Sequence, residues 1–439
     1  MMKFPGGIHL ADNKGATAQL PIRSAALPGR VSLPLQQNLG CPAEALVTVG
    51  AEVTAGQKIA DSAKLISAPV HASISGKVSK IEKLPNPCGF DVASIVIEGK
   101  GRETAYTGQW SVEELTAEQI RKSVREAGIV GLGGATFPTH VKLAPPPATK
   151  IETVIINGCE CEPYITADHR LMIERPADIL YGARAIAKAV GAGRIVIAIE
   201  DNKKDALEAM KVESRKVKVD SSVEIIKLKT KYPQGGEKQL IKAALGREVP
   251  SGGLPSAVGV VVHNVGTAVA IAEAVKYGKP LIERVVTVTG SGVKQPQNML
   301  VRLGTSFAEV IQQCGGLTED AAKVIMGGPM TGITVTSLDL PVVKATSCIL
   351  VLNKRDARIY EEGNCIRCGR CIKACPIGLL PNFLADFARL KDQERLTEYH
   401  VGDCIECGCC SYVCPSRIYL VQYFKLAKRE LQTRKAVCR

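Results

Sequence analysis

Residues 365–376 read CIRCGRCIKACP, and residues 404–415 repeat this cysteine pattern as CIECGCCSYVCP. Both runs follow the spacing Cys-x2-Cys-x2-Cys-x3-Cys, and a proline comes directly after the fourth cysteine. Thiolate sulfur is a soft ligand that suits zinc and iron–sulfur clusters, so tightly spaced cysteines of this kind predict metal binding. The doubled run therefore predicts a C-terminal module built around two metal centres.

The spacing resembles that of bacterial two-cluster ferredoxins, in which each run gives three ligands to one [4Fe–4S] cluster and its last cysteine to the other. The resemblance implies a first cluster held by Cys365, Cys368, Cys371 and Cys414. It implies a second cluster held by Cys375, Cys404, Cys407 and Cys410. Cys409 is off the repeat, and we interpret it as a packing residue, with a role as an alternative ligand left open.

Zinc sites and disulfide bonds are the alternatives for these cysteines. Structural zinc usually joins two separated ligand pairs, often with a histidine, whereas each run here is one tight arc without histidine. Disulfides persist in oxidising compartments, and residues 1–7 (MMKFPGG) lack the apolar core of a secretory signal. Iron–sulfur clusters are therefore favoured, and zinc is the main alternative.

The composition suits a glycine-rich α/β enzyme. The chain has 439 residues, of which 46% are apolar, 4% are aromatic and 41 are glycine, so several domains are expected. No run of about 18 uninterrupted apolar residues is present. Because His263 and Asn264 interrupt the longest candidate, at residues 257–275, we expect a soluble or peripheral protein.

The formal net charge of +13 fits either acidic or anionic partners or a solvated basic helix face. No zinc finger and no basic stripe interleaved with aromatic residues supports binding to nucleic acid. Acidic ferredoxins and the anionic cytoplasmic leaflet of a membrane fit the charge better.

The order of the patterns predicts a multidomain α/β protein. Residues 1–105 resemble a barrel-sandwich of the lipoyl type, with turn glycines between strands rich in β-branched residues. The lysine between methionines that accepts a lipoyl or biotinyl group is missing, so we expect a structural or docking domain. Residues 106–284 alternate buried strands with helices, which predicts a Rossmann-like α/β domain.

Two smaller units are expected to follow. Residues 285–350 combine strands with one helix at 306–313, which predicts a small β-grasp domain of the SLBB type. Residues 351–439 contain the cysteine runs, and apolar residues at helical spacing predict a helical domain of the two-cluster ferredoxin type.

A second group of motifs lies in the α/β region. A glycine-rich loop, GLGGATFPTHVK, occupies residues 131–142, and the turn NGCECEP follows a buried strand at 157–163. Further polar turns are YPQGGEK at 232–238 and HNVGT at 263–267. Neither a Walker A motif nor the strict Gly-x-Gly-x-x-Gly fingerprint is present. Glycine backbone N–H groups can cradle phosphate oxygens, although a glycine-rich loop is more often a simple turn.

The order of these motifs resembles the flavin- and nicotinamide-binding subunit of respiratory complex I. Cys159 and His263 depart from that pattern, since an acidic residue and a second asparagine stand there in the complex I protein. The closer resemblance is to the C subunit of the Rnf complex. That family shares the barrel-sandwich start, the GGATFP loop, the NGCECEP turn and the paired cysteine runs.

The resemblance implies a peripheral subunit on the cytoplasmic side of a cell membrane. Its complex is an ion-translocating ferredoxin:NAD oxidoreductase, with integral membrane subunits and a ferredoxin-type partner beside this chain. The resemblance also implies that electrons pass between NAD(H), FMN and the two clusters. A soluble flavin and iron–sulfur NADH dehydrogenase subunit, and a ferredoxin-like relay without nucleotide chemistry, are the alternatives.

The same resemblance implies the cofactor-binding residues. Gly131, Gly133, Gly134 and Lys142 would hold the phosphate and ring of FMN. The same pocket would be lined by Asn157, Glu160, Glu237, Asn264 and Thr267, and Glu162 would face the nicotinamide nucleotide. No residue is expected to act as a general acid or base.

Overall fold

The computed structural model describes residues 3–100, 106, 108–146, 149–216 and 222–437. The domain boundary predicted at residue 105 and the predicted end at residue 439 therefore lie outside the described residues. Within the described ranges the chain forms four sheets and a helical C-terminal unit.

The first part of the chain forms two small facing sheets. The strands in this part are β1 (Ile22–Ser24), which joins a later sheet, and seven strands of the two facing sheets: β2 (Arg30–Pro34), β3 (Glu44–Ala45), β4 (Glu52–Val53), β5 (Lys58–Asp61), β6 (Val70–His71), β7 (Gly76–Pro85) and β8 (Asp91–Gly99). One sheet has the order β2-β8-β7-β4 and the other the order β3-β5-β6. Leu33, Ile59 and Ile95 are fully buried between the sheets, because alternating side chains of a strand point to opposite faces.

The N-terminal segment, residues 3–24, is not part of these two sheets. Its strand β1 pairs in parallel with a strand at residues 297–302. Nearer the N-terminus, Ile8 forms a β-bridge with Tyr232, and the N–H of Gly7 donates to the carbonyl of Ala374 at 2.9 Å. The N-terminal segment therefore binds to three later parts of the chain.

The α/β unit is a four-stranded parallel sheet flanked by helices. Its elements are α1 (Ala117–Glu126), α2 (Thr139–Lys142), β9 (Thr153–Gly158), α3 (Ala167–Glu174), α4 (Pro176–Val190), β10 (Arg194–Glu200), α5 (Lys204–Lys216), β11 (Ser222–Leu228), α6 (Glu237–Leu245), β12 (Val260–Asn264) and α7 (Val265–Tyr277). The strand order is β11-β10-β9-β12, and all neighbours are parallel. The chain thus adds β10 and β11 on one side of β9 and then crosses to add β12 on the other side.

Helix α4 shows how sequence sets the packing of this unit. Pro176 occupies its first turn, where the missing N–H is not needed, and Gly191 ends it in the left-handed conformation with φ 72°. Gly182 lies against α7, because a Cβ atom built there would be 1.9 Å from the carbonyl oxygen of Ala268. The absent side chain permits the close approach of the two helices.

A six-stranded mixed sheet follows. Its new elements are β13 (Glu283–Thr289), β14 (Gln297–Arg302), α8 (Phe307–Gln313), β15 (Ala321–Met326), β16 (Ile333–Val335) and β17 (Cys348–Asn353). The order is β1-β14-β13-β17-β15-β16. The β-grasp topology that we expected for this region stays a prediction.

The C-terminal unit is helical. It contains α9 (Arg370–Ala374), α10 (Pro381–Arg389), α11 (Gln393–Glu398), α12 (Cys409–Tyr412) and α13 (Leu420–Val437). Leu384, Phe387 and Phe424 form its core. Tyr399 meets the ring of Phe387 edge-on, with centroids 5.0 Å apart.

No helix among the described residues is long and apolar enough to cross a membrane. The apolar stretch at residues 257–275 is instead strand β12 followed directly by helix α7.

The contact at Gly182 generates a stability prediction. We expect Gly182→Ala to destabilise the fold by about 1–3 kcal/mol, because the new methyl group forces α4 away from α7. Gly193→Ala is the matched control, since no atom lies within 4 Å of a Cβ at Gly193. Differential scanning calorimetry should show a lower transition temperature for the first variant only. Equal transitions for the two variants would contradict the packing argument.

Candidate functional site

The polar ends of β9 and β12 define the candidate site. Asn157 on β9 and Asn264 on β12 are direct neighbours in the parallel register. The strand order reverses between these two strands, and in open α/β sheets ligands bind at the carboxyl ends of strands at such a switch point. Asn264 also begins α7, since its side-chain oxygen accepts the N–H of Gly266 at 2.8 Å.

The glycine-rich loop lies over the start of α7. The N–H of Leu132 donates to the hydroxyl of Thr267 at 2.9 Å. A Cβ atom at Gly133 would lie 3.2 Å from Cβ of Asn264, and Gly134 adopts φ +132° beside open space. A side chain at Gly133 would crowd Asn264, and one at Gly134 would strain the backbone. The loop therefore presents bare backbone next to the switch point.

Lys142 and Glu237 form an ion pair at the edge of the same site. Lys142 lies at the end of α2, and its ammonium group donates to a carboxylate oxygen of Glu237 and to the carbonyl of Val262, each at 2.6 Å. The two side chains are 29% and 40% exposed, so a ligand from solvent can reach both of them.

The turn after β9 is held by its own buried groups. The amide of Asn157 donates to the carbonyl of Gly235 at 2.9 Å. Glu160 has φ 46°, and its carboxylate accepts the N–H groups of Asp168 and His169 at 2.7 and 3.2 Å. An anion at the first turn of α3 is favourable because helix N-termini present unpaired N–H groups.

Glu160 is also linked to the N-terminal segment. The ammonium group of Lys14 donates to the backbone carbonyl of Glu160 at 2.9 Å and lies 3.9 Å from its carboxylate. Burial raises the pKa of Glu160 to about 7, and the charge of Lys14 opposes that shift. The side chain of Glu160 is 4% exposed, so Glu160 stabilises the turn through buried contacts.

The side chain of Glu162 contacts a different part of the chain from the switch point. Its carboxylate accepts the N–H of Met330 at 3.1 Å and the hydroxyl of Thr331, both in the loop between β15 and β16. Burial raises its pKa. The family resemblance places Glu162 opposite the nicotinamide, whereas the structure places its carboxylate against the six-stranded sheet.

The structure thus brings most of the proposed flavin residues together. The group that meets at the switch point is Gly131, Gly133, Gly134, Lys142, Asn157, Glu237, Asn264 and Thr267. Glu160 is not in this group, since its carboxylate is bonded to the first turn of α3. Glu162 is not in it either, since its carboxylate bonds to the loop between β15 and β16.

Several residues that hold the site in place belong to no recognisable sequence motif. The amide of Asn264 donates to Asp168 at 2.5 Å, and Lys203, 1% exposed, donates to the carbonyl of Cys159 at 2.6 Å and to Glu200 at 3.1 Å. Cys159 is itself fully buried. Buried charges are normally paired in this way, but no local motif marks them, because their partners are distant in the chain.

Three buried polar groups on the segments that carry the site lack a hydrogen-bond partner. Within the described residues, the buried hydroxyl of Thr139, the ring Nε2 of His263 and the amide nitrogen of Gln234 have no partner. Most buried polar groups are hydrogen-bonded. The bare glycine backbone and the part-exposed ammonium group of Lys142 fit a phosphate-bearing ligand such as a flavin nucleotide.

The cysteine runs surround two separate cavities. The larger cavity, about 590 Å³ including open solvent, is lined by Cys365, Cys368, Cys371 and Cys414. The smaller cavity, about 330 Å³, is lined by Cys375, Cys404, Cys407 and Cys410. These are the two sets that the ferredoxin resemblance implies. No group of three or more His, Cys, Asp or Glu side chains in the described ranges converges on a single ion.

The two cavities differ in position. Cys365 and Cys368 are exposed, so we call the first the outer cavity. Cys375, Cys407 and Cys410 are buried, so we call the second the inner cavity.

Residues 231–239 connect the inner cavity with the switch point. At one end, the hydroxyl of Tyr232 donates to the carbonyl of Cys407 at 2.8 Å, and the amide of Gln239 donates to the carbonyl of Pro376 at 3.4 Å. At the other, Gly235 accepts from Asn157 and donates to the sulfur of Cys161 at 3.3 Å. We call this segment, which ends in the first turn of α6, the bridging loop.

Cys409 is fully buried beside the inner cavity. Its sulfur lies 4.0 Å from the carbonyl oxygen of Tyr232, and it packs in one cluster with Ile8 and Ala374. Cys409 thus both packs against neighbouring side chains and lines the inner cavity, and its packing role stays a prediction.

Family models match four parts of the chain. The RnfC barrel sandwich hybrid domain matches residues 2–102, and the Nuo51 FMN-binding domain matches residues 124–273. The SLBB domain matches residues 285–334, and the 4Fe-4S dicluster domain matches residues 364–418.

Three bacterial relatives match almost the whole chain. The C subunit of the proton-translocating ferredoxin:NAD(+) oxidoreductase complex of Clostridium ljungdahlii is 47% identical over 98% of this chain and 94% of its own length. The Na(+)-translocating counterpart of Acetobacterium woodii is 46% identical, with 98% and 97% covered. The C subunit of the ion-translocating oxidoreductase complex of Rhodobacter capsulatus is 41% identical, with 98% and 83% covered.

A solved structure shares the fold. A chain of an NAD+-reducing [NiFe]-hydrogenase in the H2-reduced state aligns with a TM-score of 0.53 at 20% identity. The alignment covers 74% of this chain and 63% of the hydrogenase chain.

The grouping of cysteines around the two cavities predicts the metal content of double variants. Cys365→Ala with Cys414→Ala removes two ligands of the outer set, so we expect about four of about eight irons to remain. Cys365→Ala with Cys375→Ala removes one ligand from each set, so we expect almost no iron. Iron and acid-labile sulfide are measured on anaerobically purified protein.

Cys409→Ala serves as the control and should keep about eight irons. The reverse outcome for the two double variants would mean that each run holds its own cluster. Zinc in place of iron in the parent protein would exclude both arrangements.

Proposed function

The chain belongs to the family of C subunits of Rnf-type ion-translocating oxidoreductases, and on that premise we propose that it carries electrons between NAD(H), FMN and two [4Fe–4S] clusters. The complex it serves is a ferredoxin:NAD+ oxidoreductase. The observation that carries the proposal is the bridging loop, because it joins the candidate flavin site to the inner cysteine set through direct hydrogen bonds.

The flavin site is the group of residues at the switch point. The glycine backbone at 131–134 and the start of α7 supply N–H groups toward a phosphate, and Lys142 adds a positive charge. A flavin, when bound, links the two-electron chemistry of a nicotinamide to the one-electron chemistry of iron–sulfur clusters. The chain positions such a group through Asn264 and Thr267, which are fixed by the first turn of α7.

The order of the clusters follows from the cavities. The inner set contacts the bridging loop, whereas the outer set faces solvent. We therefore assign the inner cluster to exchange with the α/β site and the outer cluster to exchange with a partner. An electron relay needs its end cluster close to the surface, and the exposed Cys365 and Cys368 meet that requirement.

The partner at the outer cluster is an acidic iron–sulfur protein in this proposal. Arg367 and Arg370 lie exposed between the cysteines of the first run and form no ion pair among the described residues. Unpaired arginines favour an acidic surface. With no candidate membrane span in the described ranges, we propose peripheral attachment at the cytoplasmic face through integral membrane subunits.

Gly133 provides a test of the flavin site. We expect Gly133→Val to lower the FMN content of the reconstituted protein at least about tenfold, because the side chain would press on Asn264 and fill the cradle. Gly29→Val is the control, since no atom lies within 4 Å of a Cβ at Gly29. FMN is released with acid and quantified, and iron is measured in parallel. Loss of iron in step with FMN would point to misfolding rather than to a blocked site.

Removal of one cluster tests the electron order. The variant Cys404→Ala with Cys410→Ala lacks two ligands of the inner cluster. In this variant we expect NADH to bleach the flavin absorption, while the outer cluster stays oxidised and gives no reduced-cluster signal in electron paramagnetic resonance spectra. Without the outer cluster, in Cys365→Ala with Cys414→Ala, the inner cluster should still be reduced. Reduction of the outer cluster at the parent rate in the first variant would refute the order.

A further inference from the structure

The turn after β9 reaches the inner cysteine set by a second route, through Glu162. One carboxylate oxygen of Glu162 accepts the N–H of Met330 at 3.1 Å, and the other accepts the hydroxyl of Thr331. Met330 and Thr331 belong to residues 327–332, which join the antiparallel strands β15 and β16. We call residues 327–332 the hairpin loop. Both oxygens of Glu162 therefore accept a hydrogen bond from this loop.

The hairpin loop has space for this carboxylate because it contains glycine. A Cβ atom at Gly328 would lie 2.2 Å from a carboxylate oxygen of Glu162, so a side chain at this position would displace the carboxylate. The N–H of Gly332 donates to the carbonyl of Gly328 at 2.9 Å and closes the loop. The carboxylate and the loop are thus shaped to fit one another.

The hairpin loop also contacts the second cysteine run. A Cβ atom at Gly408 would lie 3.1 Å from the carbonyl oxygen of Met330 and 3.3 Å from its terminal methyl carbon. Gly408 follows Cys407 and lines the inner cavity. The side chain of Met330 packs against a buried cluster that contains Cys407 and Cys409. Met330 therefore covers the part of the inner cavity wall where Gly408 has no side chain.

We infer that Glu162 is a positioning residue for the inner cluster, because it holds the hairpin loop against the second cysteine run and so limits the access of water to that cluster. The inference rests on the proposed function, since it requires a cluster in the inner cavity. Solvent exposure is one of the factors that set the potential of an iron–sulfur cluster. Groups that support metal ligands also affect how tightly the metal is held.

The contacts of Glu162 favour this role over one at the nicotinamide. A carboxylate that faces the nicotinamide nucleotide would lie at the switch point, with Asn264 and the glycine-rich loop. Within the described residues, the side chain of Glu162 bonds to the hairpin loop and to no residue of the switch point. The turn after β9 thus supports the inner cysteine set twice, through Glu162 and through the bond between Cys161 and the bridging loop.

The first test is the release of iron to a chelator from the full chain loaded with FMN and both clusters. We expect Glu162→Ala to release the inner half of its iron about tenfold faster than the parent protein does, because the support of the inner ligands is lost. The outer half should leave at the parent rate, which makes the outer cluster an internal control.

The second test is a redox titration followed by electron paramagnetic resonance. The double variants that lack one cluster assign the two signals. At a fixed applied potential, the ratio of reduced to oxidised inner cluster should rise about tenfold in Glu162→Ala, which equals about 59 mV for one electron. The rise is expected because the reduced cluster carries more negative charge and is favoured by water. The outer cluster should keep its potential.

Two further variants serve as controls. In Glu162→Gln the amide oxygen can accept the N–H of Met330, and the hydroxyl of Thr331 can accept from the amide nitrogen, so both readouts should return to the parent values. Glu174 also accepts a backbone N–H, that of Ile22 at 3.0 Å, but it holds strand β1 instead of the hairpin loop. Glu174→Ala should therefore leave the inner cluster unchanged.

Three results would overturn the inference. Iron release and cluster potentials in Glu162→Ala that equal those of the parent would exclude the positioning role, and a higher KM for NADH in that case would assign Glu162 to the nicotinamide. A glutamine variant that behaves like the alanine variant would show that the charge of Glu162 matters and not its contacts. Faster release from both clusters would indicate a general loss of the fold. A parent protein that holds no iron would refute the proposed function itself.

Discussion

The buried carboxylate of Glu160 is the constraint on which the site depends. It accepts two N–H groups from the first turn of α3 and lies close to the ammonium group of Lys14. These contacts hold a non-glycine residue at positive φ, a conformation that persists only where the surroundings fix it. The turn that follows β9 is thereby fixed, and with it the position of Asn157 beside Asn264.

A second consequence of this turn is the connection to the cysteine module. The bridging loop forms hydrogen bonds with Asn157 and Cys161 at one end and with Cys407 and Pro376 at the other. Electron transfer between cofactors requires proximity that does not fluctuate. Direct hydrogen bonds from one segment to both sites supply that rigidity better than two domains joined by a flexible linker would.

The features that the sequence predicts correctly depend on residues that are close together in the chain. The cysteine spacing, the glycine-rich loop and the alternation of strands with helices in the α/β region are local patterns, and the structure has them. Pairings between distant segments were not predictable. Strand β1 joins the six-stranded sheet, Lys14 reaches Glu160, and Glu162 bonds to Thr331. None of these partners leaves a periodic or spaced signal near the residue itself.

The path of the N-terminal segment has a consequence for the order of folding. Residues 7–17 find their partners at Tyr232, Asn298 and Ala374, which the ribosome makes much later than residues 7–17. Contacts of such large sequence separation close only after long loops have been ordered. The sheets can therefore form during synthesis. The contacts of the N-terminal segment with the later parts of the chain are completed only when the cysteine module has been made.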